Sequence, residues 1–579
     1  MAGEADLIQK TVHAIDSGSA LVWIKRGLAV LFILGMAAYY FMHEFRGLAT
    51  AQAMDQAQIG REIASGHGWK TKVIRPRAVG QLTSHGKNVV QNIQYDTYNA
   101  PLPPLLDAFA LRAVRGHWQM TTRDLISAPD KAIAAFSILF FLLSVLVLFF
   151  VARRLFDARL ALLACWLVIL CDMLWQYSLS GLPQMFMLLI FNSTLYLLVR
   201  AVEAQTSGGR VGLWLLAAAV GFGVLALSHA LTFWLIAGAL IFIAFYFRPR
   251  IWSAVIVLVV VGAMYAPWLV RNLALTGNPA GVAFYSLFAD INHPESGIMR
   301  RVEFDPAGAT PKAFLDKFEK NMSANIGGLV GALGWSVVAL MFFASLTHSF
   351  KKTETSVVRW LVFTMWIGAM IGMAVYGVTE EQGVASNQLN ALFLPIMTCF
   401  GLAFLLVQWN RLGYEFAWAR IAYISMLFIL CMVPLLLELP FLAPPKPALR
   451  WPPYVPPYIS VLNQWMKPNE IIASDMPWAV AWYADRRSLW LPDTEQRFTE
   501  FNDYDVLGGP INGLYLTPIS GSRNQLYDVL KGEYKDWATV ILRSVDMQKF
   551  PLKWATLLGL DNECVFFSDH DRQKIEKPQ

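Results

Sequence analysis

Asp55 is the residue in this sequence best placed to take a proton. It stands just beyond the first apolar segment, in the run Met54-Asp55-Gln56-Ala57-Gln58-Ile59-Gly60-Arg61-Glu62-Ile63-Ala64-Ser65-Gly66-His67-Gly68-Trp69. Ile59, Ile63 and Ala64 fall on one face at helical spacing and Arg61 and Glu62 on another, while Gly66 and Gly68 stop the helix. A carboxylate near the start of such a helix, at a membrane edge, can act as general base on a hydroxyl. Glycosyl transfer from a phosphate-linked donor needs such a base, and it needs positive charge beside the departing phosphate. Arg61, Lys70, Lys72, Arg75, Arg77 and Lys87 lie in the same loop and could supply it. The plainer reading is that Asp55 caps a surface helix and the basic run is a solvated or headgroup-facing surface.

Other polar residues sit where apolar segments end. Arg271-Asn272, at the mouth of the seventh segment, reads as a headgroup anchor or as a phosphate clamp. His229 marks a polar break between two segments and either contacts a phosphate or is structural. Asp172, near the end of the third, is a functional candidate by virtue of its depth or a solvated acid. Glu380-Glu381 lies in a short turn and could hold a cation or face water. The five cysteines form no CxxC pair, and four lie in apolar segments. They make neither a disulfide framework nor a thiolate metal site.

The elements that must position these residues are membrane helices. Of 579 residues, 56% are hydrophobic and 15% charged, with a mean hydropathy of +0.44. A soluble chain carries roughly a quarter charged residues, and here the apolar residues come in bilayer-length blocks. Spans are expected near 27–43, 131–152, 159–178, 182–200, 211–228, 230–247, 251–268, 327–347, 359–377, 389–408 and 420–440, about eleven in all by the hydropathy criterion. With the N-terminus inside, the short inner loops contain Arg153, Arg154 and Arg159; Arg200 and Arg210; Arg248 and Arg250; Lys351, Lys352 and Arg359; and Arg411 and Arg420. The short outer turns carry no Lys or Arg, which is the positive-inside pattern. The net charge of +6 is therefore assigned to this bias rather than to nucleic-acid binding. Residues 1–26 form a cytoplasmic segment with an amphipathic helix over 6–20 and no cleavable signal.

The domains follow: a membrane domain over 27–440 with outer loops 44–130 and 269–326, a Pro-rich linker over 441–457, and an outer domain over 458–579. In the last, 470–475, 513–516 and 539–542 read as short buried strands and 457–466 as a helix, making a small α/β domain.

The order of these features resembles the GT-C glycosyltransferases, in particular the protein O-mannosyltransferase and aminoarabinose transferase group. The first outer loop of that family carries an acid, then a helix ending in a Gly-aromatic stretch, here Asp55 to Trp69. A Pro-rich segment opens its next helix, here Tyr98-Asn99-Ala100-Pro101-Leu102-Pro103-Pro104. Arg153-Arg154-Leu155-Phe156, Ala266-Pro267-Trp268-Leu269-Val270-Arg271-Asn272 with Thr276-Gly277-Asn278-Pro279, and Ala481-Trp482-Tyr483-Ala484-Asp485-Arg486-Arg487 resemble later family motifs. Three positions depart from the pattern: Gln56 replaces a second acid, Ala100 a basic residue, and Gln184 an acid at the start of the fourth span.

The resemblance implies a GT-C-like bundle with an outer α/β domain in a bacterial plasma membrane. It implies an inverting transfer of sugar from a polyprenyl-phosphate donor to a protein, lipid or glycan acceptor, with Asp55 as base. Arg61, Lys70, Lys72, Arg75, Arg77, His229 and Arg271 would serve the donor phosphate and lipid, and Asp172, Tyr98 and Gln184 are further candidates. No metal ligand set is evident, although the chemistry leaves room for a divalent ion. The expected partners are membrane lipids, the lipid-linked sugar and its acceptor, with no nucleic acid. A catalytically silent scaffold of an envelope assembly fits the three departures. A lipid or glycan transporter would need broken helices at mid-membrane depth.

Overall fold

The computed structural model describes residues 19–573 apart from 49, 88–93, 122, 414–415, 439–454, 505, 521–525, 543–549 and 559–563. The expected amphipathic helix at 6–20 and most of the Pro-rich linker fall outside the described residues. The chain forms two compact units, Met1–Phe45 and Arg46–Gln579. The first holds the helix Ser19–Tyr39, which runs into a π-helical turn, Tyr40–Glu44.

This is a multi-pass membrane protein. Among the described residues, eight helices are long and apolar enough to cross a bilayer, and they coincide with eight of the expected spans. The span expected at 159–178 is a broken pair, Ala158–Ile169 and Asp172–Leu179, bent by 58°. The one at 230–247 is the shorter apolar helix Thr232–Tyr246. The one at 327–347 is only the short helices Leu329–Ala332 and Val337–Ser345. The helix breaks between Ala332 and Val337, where Gly334 takes a positive φ of 62°. Glycines also set the closest helix crossings. A Cβ on Gly401 would meet the Val338 carbonyl oxygen at 1.8 Å, so the helix Asn390–Arg411 packs backbone against Val337–Ser345.

The largest sheet among the described residues has six strands in the order Val73–Ile74, Arg487–Trp490, Ile471–Ser474, Ile511–Leu516, Cys564–Ser568, Trp554–Leu558. The first four run parallel, and Cys564–Ser568 runs antiparallel to both of its neighbours, Ile511–Leu516 and Trp554–Leu558. Buried apolar side chains on the strands, such as Ile74, Ala473, Leu489 and Leu514, pack against Phe498, Trp537 and Phe550. Two expected strands and the expected helix, Pro456–Trp465, are present. The third expected strand is not: Ala538–Ile541 is a helical turn that follows the 3-10 turn Lys535–Trp537, and Val540 packs into the core from there. The sheet is also not confined to the C-terminal region. Its edge strand Val73–Ile74 comes from the loop that carries Asp55, so that loop and the tail are one folded body.

Candidate active site

Thr50 caps the helix Ala51–Ala64, its Oγ1 accepting from the Ala53 N–H at 3.1 Å. Asp55 is therefore not the cap. It lies inside the helix and is 2% exposed, on a stretch buried from Ala53 to Glu62. The chain then pairs Lys70–Thr71 with Gln94–Tyr95, adds Val73–Ile74 to the large sheet, and reaches Arg75 at the cap position of the helix Pro76–Ser84. The next turn brings in Asp96, Tyr98 and Asn99 before the Pro-rich helix Leu102–Arg112.

These loops converge on Asp55. Arg75 Nη2 donates to Asp55 Oδ2 at 2.6 Å, and Asn99 Nδ2 donates to the same oxygen at 2.6 Å. Asp55 Oδ1 is buried without a hydrogen-bond partner among the described residues. Asp96 shapes the turn that delivers Asn99: its Oδ2 accepts from the Asn99 N–H at 3.1 Å and its Oδ1 from the Tyr98 N–H at 3.3 Å. Arg75 stacks on the Tyr98 ring at 4.3 Å. Burial opposes the Arg75 charge, but Asp55, Asp96 and Tyr98 outweigh it and hold the guanidinium above its ordinary pKa. Burial, and then the like charge of Asp55, push the Asp96 carboxyl up to about 6, against the pull of Arg75 and Arg271. The group is a pair of carboxylates served by one buried cation.

A cleft of about 800 Å³ opens beside this group, with Gln52, Asn99, His229, Tyr265, Trp268 and Glu295 in its wall. Tyr98 OH donates to Glu295 Oε1 at 2.6 Å, and Ser286 Oγ donates to the same oxygen at 2.5 Å. Trp268 comes from the long helix Arg250–Thr276, so the cleft reaches a membrane span. Asp55 is not in the wall; it stands directly behind Asn99. Arg271 stacks on Trp268 at 4.3 Å and donates to the Asp96 carbonyl at 2.8 Å and the Trp69 carbonyl at 3.1 Å, tying the Gly-Trp end of the first loop to that helix.

The residues singled out in the sequence therefore divide. Asp55, Arg75, Tyr98 and Arg271 meet around the cleft, and His229 lines it. Gln184 lies one step behind, its Nε2 donating to the carbonyl of Ser386, another wall residue, at 2.7 Å. Arg61 and Lys72 are engaged elsewhere, with Asp485 at 2.9 and 2.6 Å. Arg61 also donates to the carbonyls of Ala481 and Trp482. Arg77 stacks on Tyr285 and Phe304 and bonds the Val302 carbonyl at 2.9 Å, beside a separate hollow of about 340 Å³. Lys70 stands over the Tyr95 ring at 5.6 Å. Asp172 begins the second half of the bent pair. Glu381 accepts from the Ala51 N–H at 2.8 Å.

Asp96, Asn99 and Glu295 were not picked out as site residues by type and spacing. The signal for two of them was present: an Asp followed three residues later by Asn, just before prolines, is a side-chain-to-backbone turn. Among the described residues no three His, Cys, Asp or Glu side chains are grouped to hold a metal ion. The two acids here both answer to Arg75, so the donor set does not fit one.

Residues 117–270 match the family model for dolichyl-phosphate-mannose-protein mannosyltransferases. The match takes in Asp172, Gln184 and His229, begins after Asp55 and Asn99, and ends one residue before Arg271. No curated protein matches the chain at a significant level. The archaeal oligosaccharyltransferase of Archaeoglobus fulgidus, tethered to an acceptor peptide, superimposes with a TM-score of 0.55 at 13% identity, over 89% of this chain and 72% of that one. The same enzyme, AglB, with an inhibitory peptide and a dolichol-phosphate, gives 0.53 at 12% identity, over 96% and 75%. ArnT from Cupriavidus metallidurans gives 0.44 at 12% identity, over 97% and 100%. The fold is the GT-C fold of the archaeal enzyme.

Proposed function

We propose that this chain is a glycosyltransferase that moves a sugar from a polyprenyl-phosphate donor to an acceptor on a protein, lipid or glycan. The reaction takes place on the outer face of a bacterial plasma membrane, with the N-terminus inside and the C-terminal region outside. The observation that carries this reading is Asn99, which lines the cleft and bonds the buried Asp55. The matched family model and the dolichol-phosphate seen with the archaeal enzyme favour a lipid-phosphate donor. The basic short loops favour the orientation.

In this mechanism the donor's lipid lies along the span that carries Trp268, and its sugar enters the cleft. The acceptor oxygen forms a bond to the anomeric carbon as the carbon–phosphate-oxygen bond breaks. The bonding pair leaves with the polyprenyl phosphate, and the hydroxyl proton passes to Asp55. Attack comes from the face opposite the phosphate. Asn99 must yield one of its contacts for the acceptor to reach Asp55, and Arg75 holds the acid while this happens. Arg271, which stacks on the cleft residue Trp268, is the cation assigned to the leaving phosphate in this reading. The Tyr98–Glu295–Ser286 group offers the sugar hydroxyls a carboxylate acceptor.

A second reading is a silent scaffold with the same fold. It is favoured by Asp55 Oδ2 already holding two donors and by Gln56 standing where a second acid is expected. The two readings separate in one assay: purified full-length protein in nanodiscs, supplied with radiolabelled polyprenyl-phosphate sugars and a membrane extract as acceptor. An enzyme releases polyprenyl phosphate, and Asp55→Asn abolishes release while keeping the fold. Full release by that variant removes Asp55 from the mechanism, and no release by the unmodified protein with any donor favours the scaffold.

A further inference from the structure

The helix Leu102–Arg112, the span Ala128–Leu155 and the segment from Gly181 to Phe186 line a second hollow, open on one side. It shares no wall residue with the cleft. Pro103, Leu106, Ile133, Phe136, Phe140 and Phe186 make its wall apolar, and Asp107 and Ser137 interrupt it.

Both polar residues are unanswered. Asp107 is 9% exposed and has no hydrogen bond or ion pair among the described residues. Burial alone pushes its carboxyl well above the ordinary carboxylate range. Ser137 Oγ is buried without a partner among the described residues. A buried carboxyl without a hydrogen bond is costly, and native structures keep few such groups. The backbone fixes this one in place. A Cβ on Gly60 would come within 2.8 Å of both Asp107 Cβ and the Pro104 carbonyl oxygen, so the Asp55 helix presses directly on the helix that carries Asp107.

The surroundings are those of a bilayer. On the two helices that line the hollow, Phe109, Leu139 and Leu143 are 54%, 47% and 39% exposed, and the two leucines belong to a span. From Ile133 to Phe140 the wall runs about 10 Å along that span, and the turn residues Gly181, Leu182 and Pro183 complete it. What covers such a surface is lipid, with its polar end at the turn and its chain among the phenylalanines. Among the described residues no Lys, Arg or His lines the hollow, so the described wall supplies Asp107 with no cation. A primary ammonium supplies both the charge and the hydrogen-bond donors that Asp107 and Ser137 lack. A quaternary ammonium supplies no donor.

We propose that this hollow binds a membrane lipid with a primary-amine headgroup, which Asp107 and Ser137 receive at the edge of the bilayer.

The test uses the full-length protein in phosphatidylcholine nanodiscs doped with phosphatidylethanolamine or phosphatidylglycerol, with retained lipid counted by native mass spectrometry. Phosphatidylethanolamine should be retained about tenfold over the other two, as one charge-assisted contact allows. Asp107→Asn keeps the shape and removes the charge, and it should reduce retention to the phosphatidylcholine level. Ser137→Leu closes the hollow from the opposite wall and should expel the lipid with Asp107 intact. Equal retention of ethanolamine and choline lipids by the unmodified protein overturns the proposal. So does an undiminished preference in either variant, or retention of phosphatidylglycerol equal to that of phosphatidylethanolamine, which would mean that a hydroxyl suffices.

Discussion

Asn99 donates its side-chain amide to Asp55 at 2.6 Å while forming part of the cleft wall. A group in the cleft therefore meets the amide first and the acid only through it. Arg75 holds the same carboxylate oxygen from the other side, also at 2.6 Å. The acid is pre-oriented, and Asn99 controls access to it.

Asn99 is accordingly the residue to change first. Asn99→Ala removes one charge-assisted hydrogen bond from Asp55 and should cost about 2 kcal/mol of stability. Asn99→Asp should cost more, because it sets a third carboxylate against Asp55 and Asp96, which already share the charge of Arg75 and, for Asp96, Arg271. Thermal unfolding in matched detergent ranks the two variants. If the aspartate variant is as stable as the native protein, the charge arrangement described here is wrong.

Asp475 gives a pH signature in the tail. It is fully buried, and burial pushes its carboxyl up to about 6, opposed by hydrogen bonds from Thr517 and Ser520. A folded-state pKa above the unfolded value means that the folded state keeps the proton longer. The stabilisation is present in full below the unfolded value near 4 and is lost as pH rises through 6, by about 3 kcal/mol for this group. Asp475→Asn cannot titrate. Its unfolding midpoint should fall less than that of the native protein between pH 4 and 6. Parallel pH profiles would show that the Asp475 carboxyl is not displaced.

The membrane helices were legible because bilayer length and apolar composition are local properties that tertiary packing seldom overrides. Residues 327–347 are apolar enough for one span, but the helix breaks between Ala332 and Val337 around Gly334, and hydropathy does not register backbone breaks. Asp55 was legible from its place after the first span. Its partners were less so, because Arg75 and Asn99 reach it through loop geometry that spacing does not encode. Arg61 and Lys72 looked like phosphate ligands because they are basic and close in sequence. Their partner, Asp485, is more than four hundred residues away, and only the fold brings it near. The edge strand Val73–Ile74 escaped notice because two residues carry no period.

Asp485 should behave as a clamp between the first loop and the tail. It takes Arg61 Nη2 at 2.9 Å and Lys72 Nζ at 2.6 Å, and it sits at a φ of 53° that asparagine also tolerates. Asp485→Asn thus removes the charge without straining the backbone, and should cost about 2 kcal/mol at pH 7. Burial raises the Asp485 pKa, but Arg61 and Lys72 outweigh it and leave it below the ordinary carboxylate value. Its contribution is therefore present above pH 4 and lost as pH falls through the folded-state pKa. The native protein and the variant should converge in stability on acidification. A gap that stays constant down to pH 3 would mean that the contacts of Asp485 are not electrostatic.

Gly238 and Gly368 face each other where the helices Thr232–Tyr246 and Thr353–Tyr376 cross. A Cβ on Gly238 would lie 2.2 Å from the Thr364 carbonyl oxygen, and one on Gly368 would lie 2.2 Å from the Trp234 carbonyl oxygen. Both obstacles are backbone, so neither can swing aside, and the helices must separate by the width of a methyl group. Either alanine variant should cost about 2–3 kcal/mol, in the range seen when well-packed interiors are overfilled. Once the first substitution has parted the helices, the second meets less resistance. The double variant should cost clearly less than the sum of the singles, a coupling that a double-mutant cycle on detergent unfolding measures directly. Strict additivity would mean that the two glycines do not share one crossing. The short helix Thr232–Tyr246 follows His229 in the cleft wall, so parting this crossing should also lower donor turnover, without any change to Asp55 or its partners.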